Sequence, residues 1–153
     1  SNNKRAKEKA LWLISYRDHS KKELIDKIKR TSSEESAVSA VERLTELGLV
    51  NDEAYARRYF KELTQGSKHL SPRGARYKLM EKGIDRELID AIVDETDIDE
   101  REQIRIIINS KYKNLNSDEK TKKRAVSALQ RKGFRFEDIR SVMEEYEEEN
   151  DGY

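Results

Sequence analysis

Apolar residues recur along this chain three and four positions apart, as in Ala10, Leu13, Ile14, then Ala56, Tyr59, Phe60 with Leu63, then Ile104, Ile107, Ile108. That spacing gathers each set on one face of a helix. Further helices are predicted from Ser33 to Leu47, Asp85 to Glu95 and Phe136 to Glu148. No segment sustains the period-two alternation of a half-buried strand, so no sheet is expected.

The pattern repeats. Arg76-Tyr77-Lys78-Leu79-Met80-Glu81-Lys82-Gly83-Ile84 parallels Val126-Ser127-Ala128-Leu129-Gln130-Arg131-Lys132-Gly133-Phe134, an offset of 50, which also pairs Ile89 with Ile139 and Ile92 with Val142. Backwards, an offset of 51 pairs Ser71 with Ser20, Leu79 with Ile28 and Ile92 with Val41. A period near 50 is too long for helix pairs of the tetratricopeptide kind, which repeat near 34 residues, and suits three short helices per copy. The second helix of each copy is expected to start at an equivalent hydroxyl, Ser20, Ser71 or Thr121, able to accept from an orphan backbone N–H. Ser20 has Glu23 three residues on, the pattern of a capping box, and Pro72 follows Ser71 in the first-turn position. Gly83 and Gly133 suit the left-handed residue after a helix, Gly48 ends the first copy's third helix, and Asn51 or Asp52 starts the next helix. The expected fold is all-α, an elongated, curved array of three tandem three-helix repeats over residues 4–50, 51–96 and 97–149. In the first repeat Thr31-Ser32-Ser33 stands where the others have Lys-Gly, which leaves its local helix angle open.

Composition agrees with an array of small cores: 41% of the 153 residues are charged and only 35% apolar. The chain contains no Cys, which excludes disulfides, thiolate metal sites and thiol nucleophiles. Apolar runs are as short as Ile106-Ile107-Ile108, and no secretory segment precedes the first helix, so a cytoplasmic, membrane-free protein is expected. The opening Ser1-Asn2 reads as a tag scar or a truncation.

Charge is sorted by helix. Residues 4–30 carry ten basic against four acidic side chains, 57–82 eight against two, and 101–135 eleven against three. The intervening stretches reverse this: one basic residue against six acidic in 31–53, one against eight in 83–100 and one against eight in 136–153. The first two helices of each repeat are therefore basic and the third acidic. Two readings stand side by side. The charges pair internally along helix edges, which contributes little per exposed pair, or the basic helices form a ridge for an anionic partner. The ridge candidates are Arg57, Arg58, Lys61, Lys68, Arg73 and Arg76, then Lys122, Lys123 and Arg124, then Arg131 and Lys132. Lys120 crowds with Lys122, Lys123 and Arg124 at the expected helix start, where cations oppose the helix dipole and cost stability unless they serve a ligand.

Little supports catalysis. Asp18-His19-Ser20 has triad residue types, but a triad needs side chains that converge in space and consecutive residues diverge; the segment reads as a polar turn with Ser20 as cap. Two separate His, His19 and His69, supply no transition-metal set, and His69 reads as a solvated loop residue or a phosphate contact. The acidic runs at Asp94–Asp97 and Glu144–Glu149 match no calcium loop. There is no Gly-rich phosphate loop and no sign of a cofactor. Tyr55, Tyr59, Tyr77 and Tyr112 could stack on bases, though Tyr59 is better placed in a core, and Trp12 either packs inward or caps the outer face of the first helix.

The assembled motifs resemble the RecX family of bacterial recombination regulators. Gly48-Leu49-Val50-Asn51-Asp52-Glu53-Ala54-Tyr55-Ala56-Arg57-Arg58-Tyr59 is similar to that family's junction between its first and second units. Pro72-Arg73-Gly74 through Gly83-Ile84 resembles the next helix and turn, and Arg131-Lys132-Gly133-Phe134 the equivalent turn in the third unit. The resemblance covers roughly residues 7–146. It implies a non-enzymatic regulator, expected as a monomer, that binds the RecA recombinase and its filament on single-stranded DNA and inhibits recombinase, ATPase and co-protease activities. It also implies possible direct contact with single- or double-stranded DNA. The competing expectations are a sequence-nonspecific helical DNA-binding protein that acts without a recombinase, and a scaffold whose charges pair only internally.

Overall fold

A computed structural model of the protein describes residues 2–151; Ser1, at the chain's opening, and Gly152-Tyr153, counted in the last acidic stretch, lie outside them. Among the described residues the chain is all-α, with three tandem three-helix repeats and no strand. The first repeat comprises α1 (Asn2–Tyr16), α2 (Lys21–Ile28) and α3 (Glu34–Glu46), and the second α4 (Asp52–Gln65), α5 (Pro72–Glu81) and α6 (Arg86–Glu95). The third comprises α7 (Glu100–Lys111), α8 (Glu119–Arg131) and α9 (Phe136–Asp151), with a 3-10 turn at Leu115–Ser117 before α8. No described helix is long and apolar enough to cross a membrane. The backbone gathers into two compact units, one of residues up to Tyr59 with Lys78–Ile92, the other of Phe60–Tyr77 with the residues from Val93 onward.

In the first unit α1 meets α3 through small side chains, Ala6 and Ala10 against Ala37 and Ala40, all buried with Leu24, Ile28, Val41, Leu44 and Val50. The alanines let the two backbones approach closely. Leu13 and Ile14, expected in the core, are only partly buried beside it. The fully buried Leu24, Ile28 and Leu44 each contribute about 1.5–3 kcal/mol by leaving water. Ser36 Oγ ties the two helices further by donating to Asn3 Oδ1 at 2.7 Å. In the second unit Ile104, Ile107, Ile108, Ala125, Leu129, Phe134, Ile139, Val142 and Met143 form the core, with Leu115 of the 3-10 turn closing it.

Three helices end alike. Gly48, Gly83 and Gly133 have φ of 76°, 76° and 96°. In each case the following amide reaches back five residues, Leu49 to Leu44 O at 2.9 Å, Ile84 to Leu79 O at 3.2 Å and Phe134 to Leu129 O at 3.2 Å. The glycine amide meanwhile bonds Thr45, Met80 or Gln130 O. This is the Schellman closure, which satisfies carbonyls that the helix leaves orphaned.

The Lys-Gly turns also join repeats. In the first unit Ser20 caps α2 in a full capping box with Glu23, and its hydroxyl donates to Lys82 O at 2.7 Å. A Cβ on Gly83 would lie 2.6 Å from Lys22 Cβ. In the second unit the Ser71 amide donates to Lys132 O at 3.0 Å, and a Cβ on Gly133 would lie 2.5 Å from Ser71 Oγ and 2.7 Å from the Gly74 nitrogen. A Cβ on Gly74 would collide with the Lys132 carbonyl. The start of one repeat's second helix thus seats on the Lys-Gly turn of the next repeat. In the first repeat α2 ends without a left-handed residue: Lys29 is right-handed (φ −58°), and Thr31 and Ser32 both donate to Ile28 O.

One expected cap is displaced. Thr121 does not cap the third repeat's second helix; α8 begins at Glu119, and Asp118 Oδ1 accepts from the Thr121 amide at 2.6 Å. A carboxylate at a helix N-terminus combines the cap with a favourable dipole interaction, so the earlier residue prevails. The last helix also runs on to Asp151 rather than stopping at Glu148.

Glu23 is the hub of the first joint. Burial alone would raise its pKa, but the Ser20 amide, Arg17 at 3.1 Å and Lys82 at 3.2 Å overcome this and hold it at about 2. Its folded value lies below the ordinary 4.5, so the stability it contributes is present above pH 4.5 and lost as pH falls toward 2. In urea titrations the protein should lose up to about 3 kcal/mol over that window. Glu23→Gln should be weaker at neutral pH and flatter across the window, and an unchanged acid slope would count against this role. Among the glycines, Gly48→Ala has open space around its Cβ and should cost about 1 kcal/mol for its left-handed backbone alone. Gly133→Ala should cost clearly more, because Ser71 and Gly74 must also move. Equal urea midpoints for the two variants would refute the docking role of Gly133.

Candidate anion-binding surface

The structure separates cations that carboxylates neutralise from those that they do not. In the third repeat the internal reading holds for much of the basic face. Arg105 grips Glu145 with two parallel bonds of 2.9 Å and Glu102 with a third at 3.0 Å, and Arg101 meets Asp138 at 3.1 Å. Lys122 lies 3.4 Å from Glu147 and 3.5 Å from Glu119. In the first unit Arg57 pairs with Glu53 at 3.3 Å, and Arg58 with Asp18. Three ridge candidates, Arg57, Arg58 and Lys122, are therefore occupied by partners within the chain.

The dipole argument for the third cluster also changes. Because α8 starts at Glu119 with Asp118 as its cap, two acidic side chains precede Lys120, Lys122, Lys123 and Arg124, and the helix terminus is already matched. Lys123 and Arg124 remain exposed, as do Lys61, Arg73 and Arg131, while Arg76 is half-buried.

A different set converges in the second unit. The loop between α4 and α5 is held at both ends by Gln103 of α7, whose Nε2 donates to Thr64 O at 3.2 Å and Leu70 O at 3.0 Å. The loop carries Lys68 and His69, and His69 adopts a left-handed φ of 49°. Lys132, in the turn after α8, is half-buried and donates from Nζ to the Lys68 carbonyl. Burial, then Lys111 at the end of α7, depresses the Lys132 ammonium below its ordinary pKa. Burial, then Lys132 and Lys111, depresses His69. Among the described residues, no ion pair joins Lys68, Lys111 or Lys132 to a carboxylate. Beside this cluster a groove of about 560 Å³ is lined by Arg73, Gln130, Gly133, Phe134, Arg135, Phe136 and Glu137. Cations that depress one another without a counter-charge gain from an added anion, which relieves the repulsion.

Of the ridge residues predicted from sequence, Lys68 and Lys132 meet directly, and Arg73 lies at the adjoining turn; no contact gathers Lys61, Lys123, Arg124 or Arg131 into the cluster. Lys111 and Arg135 escaped the sequence reading. Lys111 is one basic residue in a last helical turn, and only the fold brings it to His69. Among the stacking candidates, Tyr77 is exposed, Tyr112 packs beside the C-terminal core, and Tyr55 is half-buried, its hydroxyl pushed up by burial and the Glu23 carboxylate. Tyr59 is half-buried with its ring 5.8 Å from that of Tyr55.

The mutual repulsion has a spectroscopic consequence. In Lys111→Gln the His69 imidazole should titrate at higher pH than in the parent, followed by NMR of its ring protons. An unmoved titration would show that Lys111 does not act on this cluster.

Comparison with known proteins matches this architecture throughout. Family models for the first, second and third three-helix domains of RecX match residues 6–44, 51–92 and 99–143. Regulatory protein RecX of Chlorobium phaeobacteroides (strain BS1) is 30% identical over 147 residues, covering 95% of each chain. Regulatory protein RecX of Trichlorobacter lovleyi is 34% identical over 142 residues, covering 88% of this chain and 91% of the relative. The crystal structure of RecX from Lactobacillus salivarius shares the fold with a TM-score of 0.75 at 24% identity, over 94% of this chain and 96% of the other. With all three domains matched in order and relatives aligned nearly end to end, the chain belongs to the RecX family of regulatory proteins.

Proposed function

We propose that this protein binds the RecA recombinase and its filament on single-stranded DNA, acting as a monomer in the cytoplasm to inhibit recombinase, ATPase and co-protease activities. Family membership supports the regulatory role. The observation that most favours an anionic surface as partner is the group of Lys68, Lys111 and Lys132 around His69, with no carboxylate bridging the three lysines. A nucleoprotein filament offers such a surface in phosphates and acidic side chains. Exposed cations of the same unit, Arg73, Lys123, Arg124 and Arg131, extend the proposed contact. Lys61, Arg76 and Lys122 in the second unit, and separately Arg57 and Arg58 in the first, are further proposed basic contacts, of which Arg57, Arg58 and Lys122 would exchange or share their internal carboxylates.

The second reading is a sequence-nonspecific DNA-binding protein that needs no recombinase, favoured by the same uncompensated cluster. The two separate in one assay. Titrated into RecA on single-stranded DNA, the protein should suppress ATP turnover at amounts too small to coat the DNA. Lys123→Glu with Arg124→Glu, and separately Lys68→Glu with Arg73→Glu, should each raise the concentration needed, with a larger effect at low salt. Inhibition by both variants equal to the parent at every salt would exclude a basic contact face. Suppression only at coating amounts, with a salt slope near −0.7 per phosphate in a DNA-only control, would favour the second reading.

A further inference from the structure

The outer face of α1 has no role in the fold described above. Its inner face is spent on Ala6 and Ala10, which are fully buried. Outside, Trp12 and Tyr16 are 57% and 72% exposed, with Leu11 beside them at 41%. The two rings stack edge to face with centroids 4.9 Å apart. Single exposed apolar residues are ordinary. A stacked aromatic pair beside a third apolar residue, on a helix already anchored by its other face, is not accounted for by packing.

The charges around the pair indicate what would cover it. Arg5 and Lys9 lie seven residues before Trp12 and Tyr16 respectively, so the four share one stripe of the helix. Lys9 Nζ donates to Lys27 O at 3.1 Å and Thr31 Oγ1 at 3.0 Å, neutral acceptors that leave its charge uncompensated. Along α1 the cations Arg5, Lys7 and Lys9 outnumber the helix's one acidic residue, Glu8. An apolar protein face would not use these cations, and a duplex keeps its base faces inside its own stack. A single strand offers phosphates to the cations and open base faces to the rings, the combination by which single-stranded nucleic acid is held without sequence preference.

We propose that Trp12 and Tyr16, flanked by Arg5 and Lys9, form a stacking site for unpaired bases of a single-stranded nucleic acid. The proposal deepens the reading of the protein as a partner of DNA-bound filaments by naming a contact to the strand itself. Its central titration uses the oligonucleotide without recombinase, so either can fail without the other.

Trp12 is the chain's one tryptophan, so intrinsic fluorescence reports this site alone. The full chain is titrated with a thymidine oligonucleotide of about 16 residues, with fluorescence followed alongside anisotropy of the labelled strand. Quenching that tracks binding and is absent with a duplex of equal length is expected. Trp12→Ala and Tyr16→Ala should each weaken binding about 10-fold, and Trp12→Phe should keep most of the affinity. Both side chains are exposed, so the alanine variants should fold, which circular dichroism checks. Three outcomes overturn the proposal: no binding of the single strand, binding that leaves the fluorescence and both alanine variants unaffected, and equal quenching by duplex. If the fluorescence responds to recombinase without DNA and not to the oligonucleotide, the face is a protein contact and the proposal also fails.

Discussion

The close approach at the Lys-Gly turns is the constraint on which the repeat architecture depends. A helix end exposes carbonyls, and a helix start exposes amides and a capping hydroxyl. At the two joints these needs are met together, Ser20 Oγ donating to Lys82 O and the Ser71 amide to Lys132 O. Such contact requires backbone to come within reach of backbone, and a side chain at Gly83 or Gly133 would stand in the way. Glycine there meets two demands at once, the left-handed turn and the absence of a Cβ. At Gly48 only the first applies, since nothing lies within 4 Å of its missing Cβ. Three glycines alike in φ are therefore unlike in what they support.

The same turns position the charged surface. Lys132 is brought to the Lys68 carbonyl because its neighbour Gly133 is pressed against Ser71, which closes the loop holding Lys68 and His69. Gln103 fixes that loop from the other side. A packing device thus also determines where uncompensated positive charge gathers. Elsewhere the charges are spent internally, most fully where the Arg105 fork meets Glu145. The alternation of basic and acidic helices serves both purposes, and the two readings of it divide by residue rather than by helix.

Much of the fold was legible in the sequence. Periodicity located the helices, Ser20 with Glu23 announced a capping box that forms in full, Gly83 and Gly133 announced two left-handed turns, and Gly48, read only as a helix end, makes a third. What the sequence could not show was competition and convergence. Asp118 and Thr121 are both competent caps, and only the 3-10 turn before them puts the carboxylate in place. Leu13 and Ile14 have the spacing of core residues, but the alanines of α1 face α3 and leave those two at the margin. Of the surface, sign was legible and pairing was not. Arg57, Arg58 and Lys122 look like Lys68 and Lys132 in a one-dimensional list, and their carboxylate partners are visible only in three dimensions.

The departures of the first and third repeats from the common pattern fall at the same joint. An internal repeat needs a glycine turn to receive the helix start before it and a free helix start to offer the repeat after it. In the first repeat Thr31-Ser32-Ser33 stands in place of a Lys-Gly turn, and α2 ends without the left-handed glycine on which a helix start could seat. In the third repeat the second helix starts at Glu119, three residues or about 4.5 Å earlier than its counterparts. The Thr121 amide, equivalent to the Ser71 amide that docks on Lys132 O, already donates to Asp118. A further Lys-Gly turn would find that donor occupied and extra helix in its path. The two departures each remove one half of a single contact: the receiving turn in the first repeat, and the free helix start in the third.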